Sequence, residues 1–291
     1  MTGFGSFVEG LFTSAAPLIL ASMGALLTEL AGVLGIFTEG FMNAGAFFSW
    51  VIAGWTGSIV LGTAASAAAA ALAGFCLARF VRKTGANPFV AGLAVNIAAG
   101  GVTDCLSVLW FGTKGVLRNP AAAARLDRAD AALPWMRDRL LWIWLSLAVF
   151  VVLGLLVSRS SWGLRLRASG LAPEAAKERG IRPGRYWEAS WAAAAALAVL
   201  AGAALCFRIG AYTPGSAAGR GWISLAAVYL GFRRPLGVFA AALVFALSER
   251  SALVLQGSRF LPATLLLGLP NALALVLYGF SCALRKKKSL R

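Results

Sequence analysis

The stretch ANPFVAGLAVNIAAGGVTDCLSVLWFGT, Ala86–Thr113, decides the fold class of this chain. Three polar side chains, Asn96, Thr103 and Asp104, interrupt a background that is apolar and rich in Gly and Ala. Polar groups are expensive in hydrocarbon, so membrane helices keep them mainly where helices pack or where a cavity holds water. The stretch therefore predicts a membrane helix that is a candidate lining for a transport path.

The rest of the chain has the composition of a membrane protein. Its 291 residues are 59% hydrophobic and 13% charged, whereas about a quarter of the residues in a soluble domain are charged. Crossing a bilayer takes roughly 20 residues of helix, and uncharged runs of that length recur. They are residues 10–28, 40–78, 84–103, 140–158, 189–207 and 260–284.

The remaining apolar runs complete the predicted topology. Residues 40–78 are long enough for two spans, with a turn at Trp55–Gly57. Residues 235–256 form a span if the helix continues past two charged residues, whereas residues 221–232 are too short for an upright one. The sequence thus predicts an all-α, polytopic membrane helix bundle in one domain over residues 1–291. We expect about eight full transmembrane helices plus one short or re-entrant segment.

The positive charge follows the pattern of a membrane protein. The net charge is +16, and 17 of the 27 Lys and Arg residues fall in segments on one side if the chain crosses nine times. An excess of Lys and Arg in cytoplasmic loops orients membrane proteins. We therefore expect the N-terminus outside and the C-terminus in the cytoplasm, and we do not expect a nucleic-acid partner.

Small residues dominate two of the predicted spans. The run Gly62–Gly74 is almost all Ala, and Gly and Ala recur in Gly85–Gly101. Small residues let helix backbones approach closely in lipid, where apolar burial gives little driving force. We therefore expect tight packing there, and an interface with a second copy or a similar subunit.

The motifs of soluble enzymes are missing. The chain has no histidine, its four cysteines lie singly in apolar runs, and it has no GxxxxGK[ST], GxSxG or HExxH. It therefore lacks the phosphate-binding loop of an ATPase and the usual ligands of a metal site. We do not expect catalysis, a metal or a cofactor on this chain.

Two hydrophilic loops stand out, an outer one at about residues 112–139 and an inner one at about residues 159–186. In the inner loop, Pro173 suits the first position of a helix, Glu174 its first turn and Gly180 the residue just past its end. The loop is therefore predicted to enclose a short helix. A solvated connector and a docking element for a cytoplasmic motor both remain open.

Two acidic residues, Glu29 and Glu39, interrupt the first hydrophobic region. Gly32, Gly35 and Gly40 lie near them, so we expect the helix to break between the two carboxylates. A broken helix exposes backbone and carboxylate to a cavity. The alternative is a hydrated, structural position at the membrane interface, which we favour for Glu29 and leave open for Glu39.

Four other polar features have either two possible roles or an ordinary structural one. Asn96 lies in mid-span, where cavity lining and interhelical hydrogen bonding are both open. Asp104 suits a hydrated or Arg-paired outer position, and Glu188 an interfacial one. The Gly-rich turn at Gly219–Trp222 suits a re-entrant or half-helix, although a plain loop would also fit.

Four stretches, read together and in order, resemble the permeases of bacterial ABC importers in the branched-chain amino acid, ribose and simple-sugar superfamily. The nucleoside-type branch, which depends on a basic membrane lipoprotein, has GVVNIGLEGMMLIGAF, and this chain has GVLGIFTEGFMNAGAF at Gly32–Phe47. The other three are ANPFVAGLAVNIAAGGVT at Ala86–Thr103, WGLRLRASGLAPEAAKERGI at Trp162–Ile181 and AGRGWISLAAVYLGFRRPLG at Ala218–Gly237.

The resemblance implies a permease subunit that moves a small solute into the cytoplasm across the bacterial inner membrane. It implies a second, similar permease, ATP-binding subunits that hold ATP and magnesium, and a substrate-binding lipoprotein as partners in the bilayer. It aligns Ala172–Gly180 with the helix that couples such permeases to the ATPase. The coupling residues would be Pro173, Glu174, Ala175, Ala176, Lys177, Arg179 and Gly180.

This chain departs from the branch in the first stretch, where Gly35 and Phe37 stand for Asn and Gly. Together with Phe41 and Phe47, Phe37 would suit a flat aromatic ligand such as riboflavin, because ring stacking rewards that match. Nucleosides remain the family default, and a simple sugar stays open. The candidate residues of the substrate path are Phe37, Glu39, Phe41, Asn96 and Thr103.

Two other functions compete with this one. An ion-coupled secondary transporter needs an ion site within the membrane and often has an inverted repeat, but the sequence has no clear repeat and leaves the inner-loop helix unexplained. A membrane scaffold without transport would need no solvent-accessible path.

Overall fold

The structure is a computed structural model that describes residues 3–117 and 139–255, and within those residues it contains ten α-helices. No strand is found in the same part of the chain, where one isolated antiparallel bridge joins Leu117 to Tyr212. The helices are α1 Gly3–Leu30, α2 Thr38–Thr56, α3 Ile59–Thr84, α4 Pro88–Phe111, α5 Arg139–Arg159, α6 Ser161–Leu171, α7 Pro173–Glu178, α8 Pro183–Ile209, α9 Arg220–Leu230 and α10 Pro235–Leu255. The all-α prediction is therefore confirmed.

Six of the described helices are long and apolar enough to cross a membrane, namely α1, α3, α4, α5, α8 and α10. The predicted count of about eight is not confirmed. Helix α2 has 19 residues but carries Glu39 and Asn43 near its start, and it is not among the six. The predicted span at residues 260–284 and most of the outer loop lie outside the described residues.

The boundaries between neighbouring spans follow local sequence signals. Helix α2 ends at Gly57, whose φ of +71° is left-handed, and the side chain of Ser58 caps the start of α3. Glycine adopts that conformation without strain, which explains the predicted turn. Helix α4, Pro88–Phe111, lies within the predicted stretch Ala86–Thr113 and continues through Asp104, beyond the uncharged run of residues 84–103.

Helix α9 is the short segment that the sequence predicted. Its 11 residues span about 16 Å at 1.5 Å per residue, roughly half of a bilayer core of about 30 Å. The residue before it, the N-cap Gly219, has a left-handed φ of +79°. The half-helix interpretation of this stretch therefore fits the structure better than the plain loop.

Helix α8 lies at the centre of the bundle and packs against α1, α2 and α3. Small residues bring these helices close: a Cβ added at Gly45 would lie 2.5 Å from the Cα of Val199, and one at Gly74 would lie 2.7 Å from the carbonyl oxygen of Trp191. The predicted tight packing is thus found along Gly62–Gly74. It is not found at the end of the second run, where a Cβ at Gly100 would meet nothing within 4 Å.

Candidate transport path and coupling loop

The chain breaks between α1 and α2, at residues 31–37, as the glycines predicted. Gly32 has a left-handed φ of +85°. The backbone N–H of Gly35 donates to the Thr28 hydroxyl at 2.9 Å, and the Trp191 indole donates to the carbonyl of Val33 at 3.0 Å. Backbone groups released by a break must find such partners when water is excluded.

Asn96 of α4 fastens the same break. Its side-chain oxygen accepts a hydrogen bond of 2.7 Å from the N–H of Gly40, and its amide nitrogen donates at 2.9 Å to the carbonyl of Ile36. One side chain therefore satisfies a donor at the start of α2 and an acceptor just before it. Of the two interpretations of Asn96, interhelical hydrogen bonding is the one that this conformation displays.

Glu39 faces the start of the half-helix α9. Its carboxylate accepts a hydrogen bond of 3.1 Å from the N–H of Gly219, and a Cβ at Gly221 would overlap the side chain of Glu39. The N-terminus of a helix carries a partial positive charge and free N–H groups, which a carboxylate complements. Glu39 therefore joins the start of α2 to the start of α9.

The turn before α9 is also held by an ion pair. The guanidinium of Arg220 donates to Glu249 of α10 and to the carbonyl of Ser216. Glu249 thus pairs with a residue of another element. This pair fixes the start of α9 relative to α10.

Phe37 is fully buried and does not line an open surface. Its ring packs edge to face against Phe41, with centroids 5.3 Å apart, and against Trp191, with centroids 4.8 Å apart. Phe47 is also fully buried and packs against Tyr212. Two of the three phenylalanines that would suit a flat ligand are thus occupied by protein rings in this conformation.

Phe41 differs from its neighbours, because it lines a cavity of about 240 Å³ between α2, α3 and α8. The lining is apolar apart from Ser66, whose hydroxyl is buried without a hydrogen-bond partner. Ligand sites typically measure about 300–1,000 Å³. The cavity is therefore smaller than a usual solute site.

A polar seam joins α2 to α4 beyond Asn96. The side-chain amide of Asn43 donates to the Thr103 hydroxyl at 3.1 Å, and the Asn43 oxygen is buried without a hydrogen-bond partner among the described residues. Asp104 is half-buried and makes no ion pair with any residue in the described ranges. Asn43, Asn96 and Thr103 therefore line one seam between α2 and α4, which ends at Glu39, one turn before Asn43, where α2 faces α9.

Two acidic residues lie in ion pairs at the ends of helices. Glu29 accepts from Arg233 at 2.8 Å and from the Tyr229 hydroxyl at 3.0 Å. Glu188 is buried and accepts from Arg82 at 2.6 Å. Both carboxylates thus have structural roles, as we favoured for Glu29.

The inner-loop helix is α7, and its ends match the predicted signals. Pro173 occupies its first turn, and Gly180 follows its end with a left-handed φ of +75°. The N–H of Gly180 donates to the carbonyl of Lys177, and the N–H of Ile181 donates to that of Ala176. These two bonds form the capping motif that glycine permits at a helix end. Arg179 is the C-cap residue of the helix.

Helix α7 is exposed on every side but one. Glu174 and Lys177 are exposed and form an ion pair of 2.8 Å, and Ala175 and Arg179 are also exposed. Ala176 is 3% exposed and packs against its own chain. The exposed residues are therefore the ones available to a partner.

The inner loop directly touches the α1–α2 break. Gly170, near the end of α6, lies so close to the end of α1 that an added Cβ would overlap the carbonyl of Leu30. In return, a Cβ on Gly32 would lie 2.9 Å from the Cα of Gly170. Two glycines thus bring the backbone of the loop onto the backbone of the break.

Sequence reasoning missed three of these residues. Asn43 was a detectable polar residue in an apolar span, and Trp191 a lone large side chain in an Ala run. Gly170 gave no signal, because the residue that it contacts is 138 positions away in the chain. A single sequence does not reveal such long-range contacts.

Comparison with known proteins supplies the family. Residues 7–281 match the family described as branched-chain amino acid transport system / permease component. This match covers nearly the whole chain. No solved structure matches the chain.

Three curated relatives extend this finding. The chain is 25% identical to the nucleoside ABC transporter permease protein NupC of Lactococcus lactis subsp. cremoris (strain MG1363), over 92% of this chain and 90% of that protein. It is 28% identical to the guanosine ABC transporter permease protein NupQ of Bacillus subtilis (strain 168), over 82% and 79%. It is 27% identical to the putative glucose ABC transporter permease protein TsgC13 of Haloferax volcanii (strain ATCC 29605), over 84% and 77%.

Proposed function

We propose a substrate and a mechanism from the premise that the chain belongs to the family of branched-chain amino acid transport system permease components. It is a permease subunit of an ABC transporter. The proposed substrate class is nucleosides, moved inward across the membrane. The observation that carries this choice is the near full-length similarity to two permeases named for nucleosides and for guanosine.

A simple sugar is the second candidate, because the third relative is named for glucose. The structure gives less support to a flat ligand such as riboflavin. Phe37 and Phe47 already pack against protein rings, so they are not available for ring stacking in this conformation. The comparisons give no support to an ion-coupled transporter.

We propose that the solute passes along the α2–α4 seam. This seam collects the candidate residues Glu39, Asn96 and Thr103. The open outer face of α4, with Ile97 at 71% exposure, supports a path between this chain and a second, similar permease. The polar side chains hold the helices together in the present conformation, and their rearrangement would open the path.

Coupling to ATP hydrolysis is proposed to run through α7. Its exposed residues are Glu174, Ala175, Lys177 and Arg179, which suit contact with a separate ATP-binding subunit. Movement of the loop would then reach the α1–α2 break through the contact of Gly170 with Gly32. ATP and magnesium would be held by the partner, and this chain would have no catalytic role.

The proposed setting is the bacterial inner membrane. The Lys and Arg distribution supports the N-terminus outside and the C-terminus in the cytoplasm. A substrate-binding lipoprotein would deliver the solute from outside. Cysteines introduced at Ala123 and at Leu171, an inner-loop residue that is 81% exposed, should then be labelled from opposite sides in intact cells, with Ala123 labelled from outside.

Uptake by reconstituted vesicles tests the substrate. The chain, its companion permease, the ATP-binding subunits and the lipoprotein are placed in proteoliposomes, and uptake of labelled guanosine, uridine and glucose is compared. We expect ATP-dependent uptake of a nucleoside that unlabelled glucose does not inhibit. Uptake of glucose alone would reverse the assignment, and uptake driven by an ion gradient without ATP would contradict the mechanism.

A further inference from the structure

A deep groove separates α5 from α10 at the end of the bundle that carries the inner loop. The two helices meet at Phe150 and Phe239, whose rings stack with centroids 4.2 Å apart. From there the groove runs along α5 to Arg159 and encloses about 860 Å³. Nine residues of helix cover about 14 Å, so the groove has the depth of roughly half a bilayer core.

The walls of this groove are apolar and open to the surroundings. Val151, Leu155 and Leu236 line it and are 51%, 56% and 74% exposed. At the floor of the groove α5 and α10 approach closely, because Gly154 has no side chain. A Cβ there would lie 3.6 Å from the Cβ of Pro235. The exposed apolar walls are suited to an acyl chain and not to water.

The inner end of the groove is strongly positive. Four arginines line it, Arg159, Arg167, Arg233 and Arg234. Arg233 is paired with Glu29, but Arg159, Arg167 and Arg234 make no ion pair with any residue in the described ranges. Phe232 and Arg233 have positive φ values of 56° and 58°, a conformation that non-glycine residues adopt at a cost. The turn that presents Arg234 is therefore held against its local preference.

We propose that this groove binds an anionic phospholipid of the inner leaflet. The phosphate would lie among Arg159, Arg167 and Arg234, and an acyl chain would lie along Val151, Leu155 and Leu236. Basic pockets between membrane helices on the cytoplasmic side suit anionic headgroups. The site rests on the membrane placement proposed above, but its test does not depend on transport.

Charge distinguishes the lipid from another occupant, the C-terminal segment of this chain. That segment carries Arg285, Lys286, Lys287, Lys288 and Arg291. Placing these cations beside three arginines that have no ion-pair partner among the described residues would be repulsive. An anionic headgroup would instead neutralise the charge of the same arginines, and the acyl chain of the lipid would pack against the apolar walls.

The test is lipid binding by the full chain, purified in detergent and freed of lipid. Native mass spectrometry counts bound dioleoyl phosphatidylglycerol against dioleoyl phosphatidylcholine. The wild type should retain phosphatidylglycerol preferentially. Because each arginine near a headgroup contributes about 1 kcal/mol, Arg167→Ala and Arg234→Ala should each weaken that retention about fivefold, and both together about 25-fold.

Matched variants separate the headgroup from the groove. Arg165→Ala removes an exposed arginine of the same helix α6 that does not line the groove, so it should bind like the wild type. Gly154→Leu should fill the groove and reduce binding of both lipids. Its side chain begins at an ordinary contact distance from Pro235, so the elution profile in size-exclusion chromatography should be unchanged.

Four outcomes would overturn the proposal. Equal retention of both lipids, or equal effects of Arg165→Ala and Arg234→Ala, would remove the headgroup site. Full displacement of the lipid by excess inorganic phosphate would reduce it to a phosphate site. Efficient cross-linking of a cysteine at Leu236 to one at Ala283, in a variant without the native cysteines, would show that the chain's own C-terminal segment fills the groove.

Discussion

The α1–α2 break and the inner-loop helix α7 are both short segments between longer helices, but they are stabilised in opposite ways. The break is buried and fastened by side chains from distant helices, with Asn96 and Trp191 bonding to its backbone. Helix α7 is exposed and closed by bonds within its own loop, through Gly180 and Ile181. The contact of Gly32 with Gly170 links the two regions.

This difference sets what a mutation should do in each region. Removing a partner of the break leaves backbone groups unpaired in a dry environment, so stability and transport should fall together. Changing an exposed residue of α7 affects at most the exposed pair of Glu174 with Lys177, so the proposed coupling should fail while the permease stays folded. The following predictions test that contrast, from the largest expected effect to the smallest.

The largest effect is expected at the contact between the two regions. Gly170→Val would place a branched side chain on the carbonyl of Leu30, and overpacking typically costs about 1–3 kcal/mol. Nucleoside uptake should fall at least tenfold, and the midpoint of thermal unfolding in detergent should drop. Gly100→Ala is the control, since its Cβ meets nothing within 4 Å. Wild-type uptake by Gly170→Val would mean that the contact does not join the loop to the break.

The next effect separates two adjacent alanines of α7. Ala175 is exposed, whereas Ala176 is buried against its own chain. Ala175→Trp should leave the thermal unfolding midpoint unchanged but abolish co-purification of the ATP-binding subunits. Ala176→Trp should lower the midpoint as well, because a clash inside the loop costs about 1–3 kcal/mol.

Glu174→Arg is a second test of whether the exposed surface of α7 docks on the ATP-binding subunits. It breaks the pair with Lys177, and an exposed pair contributes only about 0–1 kcal/mol to stability. A loss of ATPase stimulation by the loaded lipoprotein without loss of stability would therefore report on docking. If Ala175→Trp and Glu174→Arg both retained normal stimulation, α7 would be only a connector.

The two regions also differ in how far the sequence predicted them. The ends of α7 were predictable because a proline, an acidic first turn and a glycine act locally. The existence of the break was predictable from Gly32 and Gly35. The partners that hold the break were not, since Asn96 and Trp191 approach it only through the packing of α4 and α8.

The same limit explains the other differences from the sequence predictions. Composition identifies Gly100 as suited to close packing, but tertiary structure decides which helices meet. The helix that packs against α1, α2 and α3 at the centre of the bundle is α8, and Gly100 of α4 has no neighbour within 4 Å of an added Cβ. Phe37 was assigned to the path because aromatic rings suit flat ligands. In the bundle it packs against Trp191, and only a structure reveals that competing contact.

A smaller loss of transport is expected from Asn96→Leu. This change leaves the carbonyl of Ile36 and the N–H of Gly40 without their partner, and each buried unpaired group costs about 1–3 kcal/mol. Uptake and the thermal unfolding midpoint should both fall, and Asn96→Asp, which keeps only the acceptor, should be intermediate. The control change Val152→Ala, on α5 at a site 61% exposed, should alter neither. A normal midpoint with lost uptake would instead favour direct contact of Asn96 with the solute.

The smallest effect is expected from Glu39→Gln, which tests the joint between the break and α9. Glutamine keeps an oxygen that can accept the hydrogen bond from Gly219, but it removes the charge that faces the helix N-terminus. That interaction is typically worth about 0.3–1 kcal/mol, so uptake should fall about two- to fivefold. Glu39→Leu removes the acceptor too and should reduce uptake further, whereas Glu174→Gln, on the exposed helix, should not lower the thermal unfolding midpoint. Complete loss of uptake in Glu39→Gln, with an unchanged midpoint, would mean that the carboxylate acts on the solute and not on α9.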